Sequence, residues 1–100
     1  VKTPVELAGT QHIYHLYIVR HKARNKIIEA LKKAGVDCGV YYPVPLHLQD
    51  AYKHCGAQTL PVVEAVSRET FALPLYPEMS DNQLDFVVKS LSVALTSIRI

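Results

Sequence analysis

Hydrophobic positions change from a strand-like to a helical period and back within the first 42 residues. Residues 12–20, HIYHLYIVR, carry aromatic and β-branched side chains at both parities, which predicts a central strand with both faces covered. Residues 22–34 have apolar side chains at spacings of three and four, and they predict a helix that Gly35 ends. Residues 36–42 alternate again and predict a second strand.

The second half of the chain predicts helices separated by one further strand. Residues 49–55 predict a short helix that ends at Gly56. Residues 60–68 have a proline in the first turn and predict a helix that turns three valines inward, Val62, Val63 and Val66. Residues 70–75 predict a short strand or extended segment before a proline-rich connection.

The final helix has the most specific start signal in the chain. Ser80 is the predicted N-cap, and Gln83 completes a capping box three residues later. The inward face of this helix is predicted to comprise Leu84, Val87, Val88, Leu91, Ala94, Leu95 and Ile98.

The order of these elements predicts an α+β domain. We expect a small sheet of about three strands, mainly antiparallel or mixed, with helices packed on one side. Because residues 12–20 are apolar on both faces, we expect the other face of the sheet to dock against another domain.

Composition and charge restrict the class of protein. A chain of 100 residues fits one small domain, and since Val1 is not an initiator methionine, we expect residues 1–100 to be one domain of a longer protein, with residues 1–11 as a lead-in. The net charge of +2 does not indicate nucleic-acid binding. The missing signal peptide and membrane span predict a cytoplasmic protein. One basic cluster is interpreted as a solvated helix face: Lys22, Arg24, Lys26, Lys32 and Lys33.

No complete active site follows from the residue types alone. The five histidines and two cysteines show no metal-ligand spacing and no disulfide framework, and the sequence has no glycine-rich phosphate loop. The strongest candidate site is residues 41–49, YYPVPLHLQ, here called the proline loop. Its two prolines stiffen the backbone, and its two phenols, imidazole and amide suit ligand binding. An ordinary proline-rich connection is the alternative explanation.

Four sequence blocks, in the same order, resemble the C-terminal part of the DegT/DnrJ/EryC1/StrS family of sugar aminotransferases. The blocks are YHLYIVR from residue 14, YPVPLHLQ from residue 42, LPVVE from residue 60 and LPLYPEM from residue 73. The resemblance implies the aspartate aminotransferase fold, in which a small C-terminal domain closes over a large cofactor-binding domain. It also implies a homodimeric enzyme that depends on pyridoxal 5'-phosphate (PLP) and moves an amino group, usually from glutamate, to a nucleotide-linked keto-sugar.

The same resemblance implies that the proline loop lies on the substrate side of the active site. Tyr41, Tyr42 and His47 are the predicted substrate-binding residues, and Tyr41 stands where many family members carry histidine. Arg20 and Glu64 also match family positions, which structural pairing explains equally well. Catalytic, cofactor-binding and metal-binding residues are not predicted in this fragment, because the missing large domain would hold PLP on its lysine. The fragment alone is therefore expected to be inactive. The alternative is a free-standing, non-catalytic α+β binding or interaction module.

Overall fold

The computed structural model describes residues 1–98 and has the predicted α+β class. The elements follow in the order β1 (Tyr17–Arg20), α1 (Arg24–Lys33), two 3-10 helices (Leu46–Leu48 and Asp50–Cys55), α2 (Pro61–Glu69), β2 (Thr70–Leu73) and α3 (Asp81–Ser97). The positions of the predicted helices are confirmed, while the strands are shorter than predicted.

β1 and β2 form an antiparallel pair at the centre of the domain. Val19 of β1 lies directly opposite Phe71 of β2. On the other edge of β1, Lys2 forms a single bridge to Arg20, with both N–H···O distances at 2.9 Å. β1 therefore has neighbours on both edges, as a central strand does.

The strand predicted at residues 12–20 is confirmed only in its last four residues. Tyr14 has a φ of 49°, in the left-handed region, which interrupts the extended backbone that a strand requires. Ile13 is 88% exposed, so this domain does not itself cover the start of the segment. Whether the exposed part docks against another domain stays a prediction.

The third predicted strand is also corrected. Within residues 1–98, the segment 36–42 contributes one antiparallel bridge, between Gly39 and Ala72, and the sheet has two strands instead of three. Hydrogen-bonded pairs of an antiparallel ladder recur every two residues, so the next pair would join Asp37 to Pro74. Pro74 has no N–H to donate, and the ladder ends there.

The core lies between this sheet and helices α1 and α3. Its four largest fully buried side chains are Val19, Ile27, Leu31 and Phe71, and Val36, Val87 and Ala94 complete the cluster. Burial of each large apolar side chain contributes roughly 1.5–3 kcal/mol relative to exposure. Because Val19 and Phe71 share one face of the sheet, α1 and α3 cover that face.

The helix ends follow the local signals closely. Gly35 has a φ of 88° directly after α1, a conformation that glycine adopts without steric cost. At the start of α3, the N–H of Gln83 donates to Ser80 Oγ at 3.2 Å, and the N–H of Ser80 donates to Gln83 Oε1 at 2.9 Å. The capping box is confirmed.

The predicted inward faces of α2 and α3 are only partly confirmed. Val62 is 76% exposed and Val63 is 41% exposed, so the prediction that these valines point into this domain is wrong. On α3, Leu84 and Val88 are exposed while Val87 is buried. None of the helices in residues 1–98 combines the length and the apolar character that crossing a bilayer requires.

Arg24 is buried, in contrast to the prediction that it belongs to a solvated helix face. Its Nη1 donates to the carbonyl oxygens of Ser67 at 2.5 Å and of Thr70 at 3.3 Å. These carbonyls belong to the last turn and the C-cap of α2, which have no intrahelical donor. A cation on α1 therefore caps the C-terminus of α2.

Candidate functional site

The proline loop is held in shape by its own short-range hydrogen bonds. Its 3-10 turn places the N–H of Leu48 2.9 Å from the carbonyl oxygen of Pro45. The side-chain amide of Gln49 donates to the carbonyl oxygen of Val44 at 3.3 Å. These bonds close the loop on itself and leave its aromatic side chains on the surface.

The two tyrosines at the start of the loop lie against each other. Tyr41 is 46% exposed and Tyr42 is 73% exposed, and their ring centroids are 5.7 Å apart in an edge-to-face arrangement. The Tyr41 ring also covers Gly39, where an added Cβ would lie 2.6 Å from Cε2 of the ring. Gly39 therefore allows Tyr41 to pack close to the backbone of the preceding segment.

A groove of about 240 Å³ separates the proline loop from α2. Tyr41, Tyr42 and Pro45 line the loop side, and Val63 and Val66 line the helix side. Apolar walls with a few hydroxyl groups are typical of sites that bind small molecules. On the outer side of the loop, a more open depression of about 540 Å³ also borders Tyr42.

His47 is separated from these two tyrosines. Its side chain is only 10% exposed, and its Nε2 lies 3.2 Å from Oε2 of Glu64 on α2. The same carboxylate oxygen accepts the N–H of Leu60 at 2.7 Å. This N–H, followed by the His47 ring, holds the pKa of the Glu64 carboxyl below its ordinary value. The structure thus brings Tyr41 and Tyr42 to the groove and places His47 beside Glu64.

The remaining histidines, cysteines and charged residues considered from the sequence do not form a second candidate binding site within the described residues. Nε2 of His54 lies 3.5 Å from Sγ of Cys55, and both residues are exposed. Within residues 1–98, no three His, Cys, Asp or Glu side chains are grouped as metal ligands. Arg20 donates a hydrogen bond to Glu69. This contact supports a structural role for Arg20, which was one explanation of why it matches a family position.

PLP does not fit the residues of this chain alone. A PLP-dependent transaminase requires a lysine that bonds the cofactor and an acidic partner for the pyridine nitrogen. No lysine of residues 1–98 lines the groove beside the proline loop. Lys33 and Lys53 are paired with Glu29 and Asp50, and Lys89 lies on the exposed side of α3.

The fold matches aminotransferases of known structure. The aminotransferase TlmJ from Streptoalloteichus hindustanus aligns with a TM-score of 0.85 at 32% identity, over 97% of this chain and 26% of that chain. NtdA from Bacillus subtilis, solved with bound cofactor PMP, aligns with a TM-score of 0.75 at 29% identity, over 85% of this chain and 21% of that chain. The chain therefore has the structure of one part of a fold-type-I aminotransferase.

The sequence comparisons define the family more narrowly. The model of the DegT/DnrJ/EryC1/StrS aminotransferase family matches residues 1–92, and the chain belongs to this family, as the four sequence blocks predicted. A pleiotropic regulatory protein from Geobacillus stearothermophilus is 36% identical over 94 residues, which cover 92% of this chain and 25% of that protein.

A second relative carries an enzyme name. The dTDP-3-amino-3,4,6-trideoxy-alpha-D-glucose transaminase from Micromonospora megalomicea subsp. nigra is 31% identical over 101 residues, which cover 98% of this chain and 27% of that protein. The chain thus spans about a quarter of the length of these relatives.

Proposed function

We propose that this chain is the C-terminal small domain of a PLP-dependent aminotransferase that transfers an amino group from glutamate to a nucleotide-linked keto-sugar. The observation that carries the proposal is the family match over residues 1–92. The sugar-nucleotide name of one relative and the PMP bound to one structural neighbour support the substrate class and the cofactor. PLP would supply the electron sink for this chemistry, on a lysine from outside these residues.

In this proposal the chain binds and orients the sugar substrate. The exposed phenols of Tyr41 and Tyr42 can donate hydrogen bonds to sugar or diphosphate oxygens, and their rings offer flat apolar surface. His47 remains a proposed substrate-binding residue through Nδ1, since Nε2 is bonded to Glu64. The groove beside the proline loop supports this assignment, because it joins the tyrosines to an apolar helix wall.

The proposal also covers the surroundings of the domain. The exposed apolar side chains of the proline loop and of α2 are proposed to face the enzyme's large domain and a second subunit of a homodimer in the cytoplasm. Val62 at 76% exposure and Leu46 at 66% exposure support a covered surface, because exposed large apolar side chains become favourable contacts when a partner covers them. Sedimentation of the complete protein measures the oligomeric state.

The decisive experiment uses the complete protein that contains this chain. We expect glutamate to change the absorbance of bound cofactor, and a keto-sugar nucleotide to reverse that change. Tyr42→Ala should raise KM for the sugar nucleotide roughly tenfold, as loss of about one hydrogen bond with its contact area predicts, and should leave the glutamate half-reaction unchanged. Tyr52→Ala is the matched control, because Tyr52 is exposed outside the groove. A complete protein that binds no PLP would refute the proposal.

A regulatory binding module is the second candidate. The name of the 36% identical relative, a pleiotropic regulatory protein, favours it. This candidate predicts that the complete protein binds a partner or ligand through the same groove without turnover of glutamate. The cofactor absorbance experiment therefore separates the two candidates.

A further inference from the structure

Two donors from different parts of the chain converge on one carboxylate oxygen. Oε2 of Glu64 accepts the N–H of Leu60 at 2.7 Å and lies 3.2 Å from Nε2 of His47. The Glu64 side chain is 23% exposed and the His47 side chain 10%, so both groups are largely withdrawn from water. Charge-assisted hydrogen bonds of this kind are stronger than neutral ones.

The first donor belongs to the N-terminus of α2, which has no other side-chain cap. Leu60 occupies the N-cap position and cannot accept a hydrogen bond through its side chain. Glu64 returns from the first turns of the helix to the N–H of Leu60, and its negative charge suits the positive end of the helix dipole. These interactions therefore fix the position of the Glu64 side chain without any contribution from a ligand.

The second donor belongs to the proline loop, which is otherwise anchored by apolar packing of the buried Pro45. Pro43 and Pro45 lack N–H groups, and the hydrogen bonds through Leu48 and Gln49 stay inside the loop. In the part of the chain that the structure describes, the bond from His47 to Glu64 is the hydrogen bond that joins this loop to α2. Its loss would free the loop from the helix.

The groove lies between the two parts that this carboxylate joins. Tyr41 and Tyr42 border it from the loop. Val63, one residue before Glu64, and Val66, two residues after it, border it from the helix. The width of the groove therefore depends on the separation that the bond between His47 and Glu64 sets.

We infer that Glu64 is a positioning residue, which fixes the proline loop on α2 through His47 and so sets the groove for the sugar nucleotide. The identity of the ligand in this inference rests on the proposed function. The claim that Glu64 holds the proline loop on α2 rests on the contacts alone. Glu64 would not touch the substrate. Its effect on affinity would pass through the position of Tyr41 and Tyr42.

The test uses the complete protein and two readouts. Hydrogen–deuterium exchange of the amides of Leu48 and Gln49 measures how firmly the loop is held. KM for the sugar nucleotide, compared with the rate of the glutamate half-reaction, measures how the loop affects substrate binding. His47→Phe keeps a planar aromatic ring, slightly larger than imidazole, and removes both nitrogen atoms. We expect roughly tenfold faster exchange of the loop amides and a rise in KM of similar size, with an unchanged half-reaction.

Glu64 variants separate positioning from general destabilisation. Glu64→Ala should reproduce the effect of His47→Phe on the loop and should also accelerate exchange of the Leu60 amide, which His47→Phe leaves protected. Glu64→Gln keeps an oxygen that can accept from Leu60, so we expect α2 to start normally and the loop to be released only in part. The double variant of His47 and Glu64 should raise KM no further than His47→Phe. Glu29→Ala is the matched control, because Glu29 is an exposed carboxylate on α1.

Two results would overturn the inference. Unchanged exchange at Leu48 and Gln49 in His47→Phe would show that the contact does not hold the loop. A normal KM in Glu64→Ala, together with a raised KM in His47→Phe, would show that His47 acts only through its own contact with the substrate and that Glu64 positions nothing. If the complete protein has no transaminase activity but the exchange results are as expected, the proposed function fails and the positioning role stands.

Discussion

Replacement of Arg24 by methionine tests how much the contact between α1 and the C-terminus of α2 contributes to the stability of the domain. Arg24 is 9% exposed, and its guanidinium donates to the carbonyl oxygens of Ser67 and Thr70 at the end of α2. Methionine preserves most of the aliphatic volume, so a large cavity is not created. Both carbonyl groups would, however, lose their donor in buried surroundings.

The expected loss follows from these contacts. A hydrogen bond from a charged donor contributes about 1.5–3 kcal/mol, and the longer bond, at 3.3 Å, contributes less than the shorter one. Replacement of the buried guanidinium also removes the free-energy cost of keeping its charge away from water, and this gain offsets part of the loss in stability. We therefore expect Arg24→Met to lower the free energy of unfolding by roughly 2–3 kcal/mol, a large share of the ~5–15 kcal/mol typical of a domain.

Urea denaturation followed by circular dichroism measures this loss. With a slope of about 1–3 kcal/mol per M urea, the midpoint should fall by roughly 0.7–3 M. Lys26→Met is the control, because Lys26 is exposed on the same helix and should change the free energy of unfolding by less than ~0.5 kcal/mol. Equal midpoints for the two variants would refute the capping role of Arg24.

Three further predictions address other parts of the domain. Ser80→Ala removes the capping box of α3 and should lower the free energy of unfolding by ~1 kcal/mol in the same urea assay; an unchanged midpoint would contradict it. The hydrogen bond from Arg20 holds the pKa of Glu69 below its ordinary value of 4.5. Its contribution to stability is therefore complete above pH 4.5 and is lost as the pH falls through the folded pKa. Glu69→Gln should flatten the acid limb of the stability profile, and parallel limbs in the two proteins would argue against this pairing. Burial raises the pKa of Cys38 to about 11, whereas Cys55 is exposed, so iodoacetamide at pH 8 should alkylate Cys55 first, as peptide mass spectrometry can measure; earlier labelling of Cys38 would contradict the burial.

Features decided within a few residues of the chain were predictable from the sequence. The capping box of Ser80 and Gln83 depends on a separation of three residues, and the stop at Gly35 depends on the conformation of one glycine. The third strand was not predictable, because its end is decided by Pro74, which reaches Asp37 only through the register of the sheet.

The groove beside the proline loop was predictable to a similar degree, while the binding roles of its residues stay predictions. The residue types indicated the proline loop, and two of its three predicted binding residues, Tyr41 and Tyr42, lie at the groove. The burial of His47 against Glu64 depends on a contact across 17 residues, which no local period encodes. The match of Glu64 to a family position was the one sequence feature that suggested a role for this residue, and that match did not identify its contact.

The two ends of α2 explain why these distant contacts matter together. Arg24 holds the C-terminus of α2 to α1, and Glu64 holds the other end to the proline loop. Both contacts use a charged side chain at a helix end, where unsatisfied backbone groups favour that charge. α2 therefore connects the core with the groove as one stiff element, although its valines contribute little to the core of this domain. Since Arg24 lies outside the groove, Arg24→Met should affect the groove only through a shift of α2, whereas His47→Phe should release the loop and leave α2 in place.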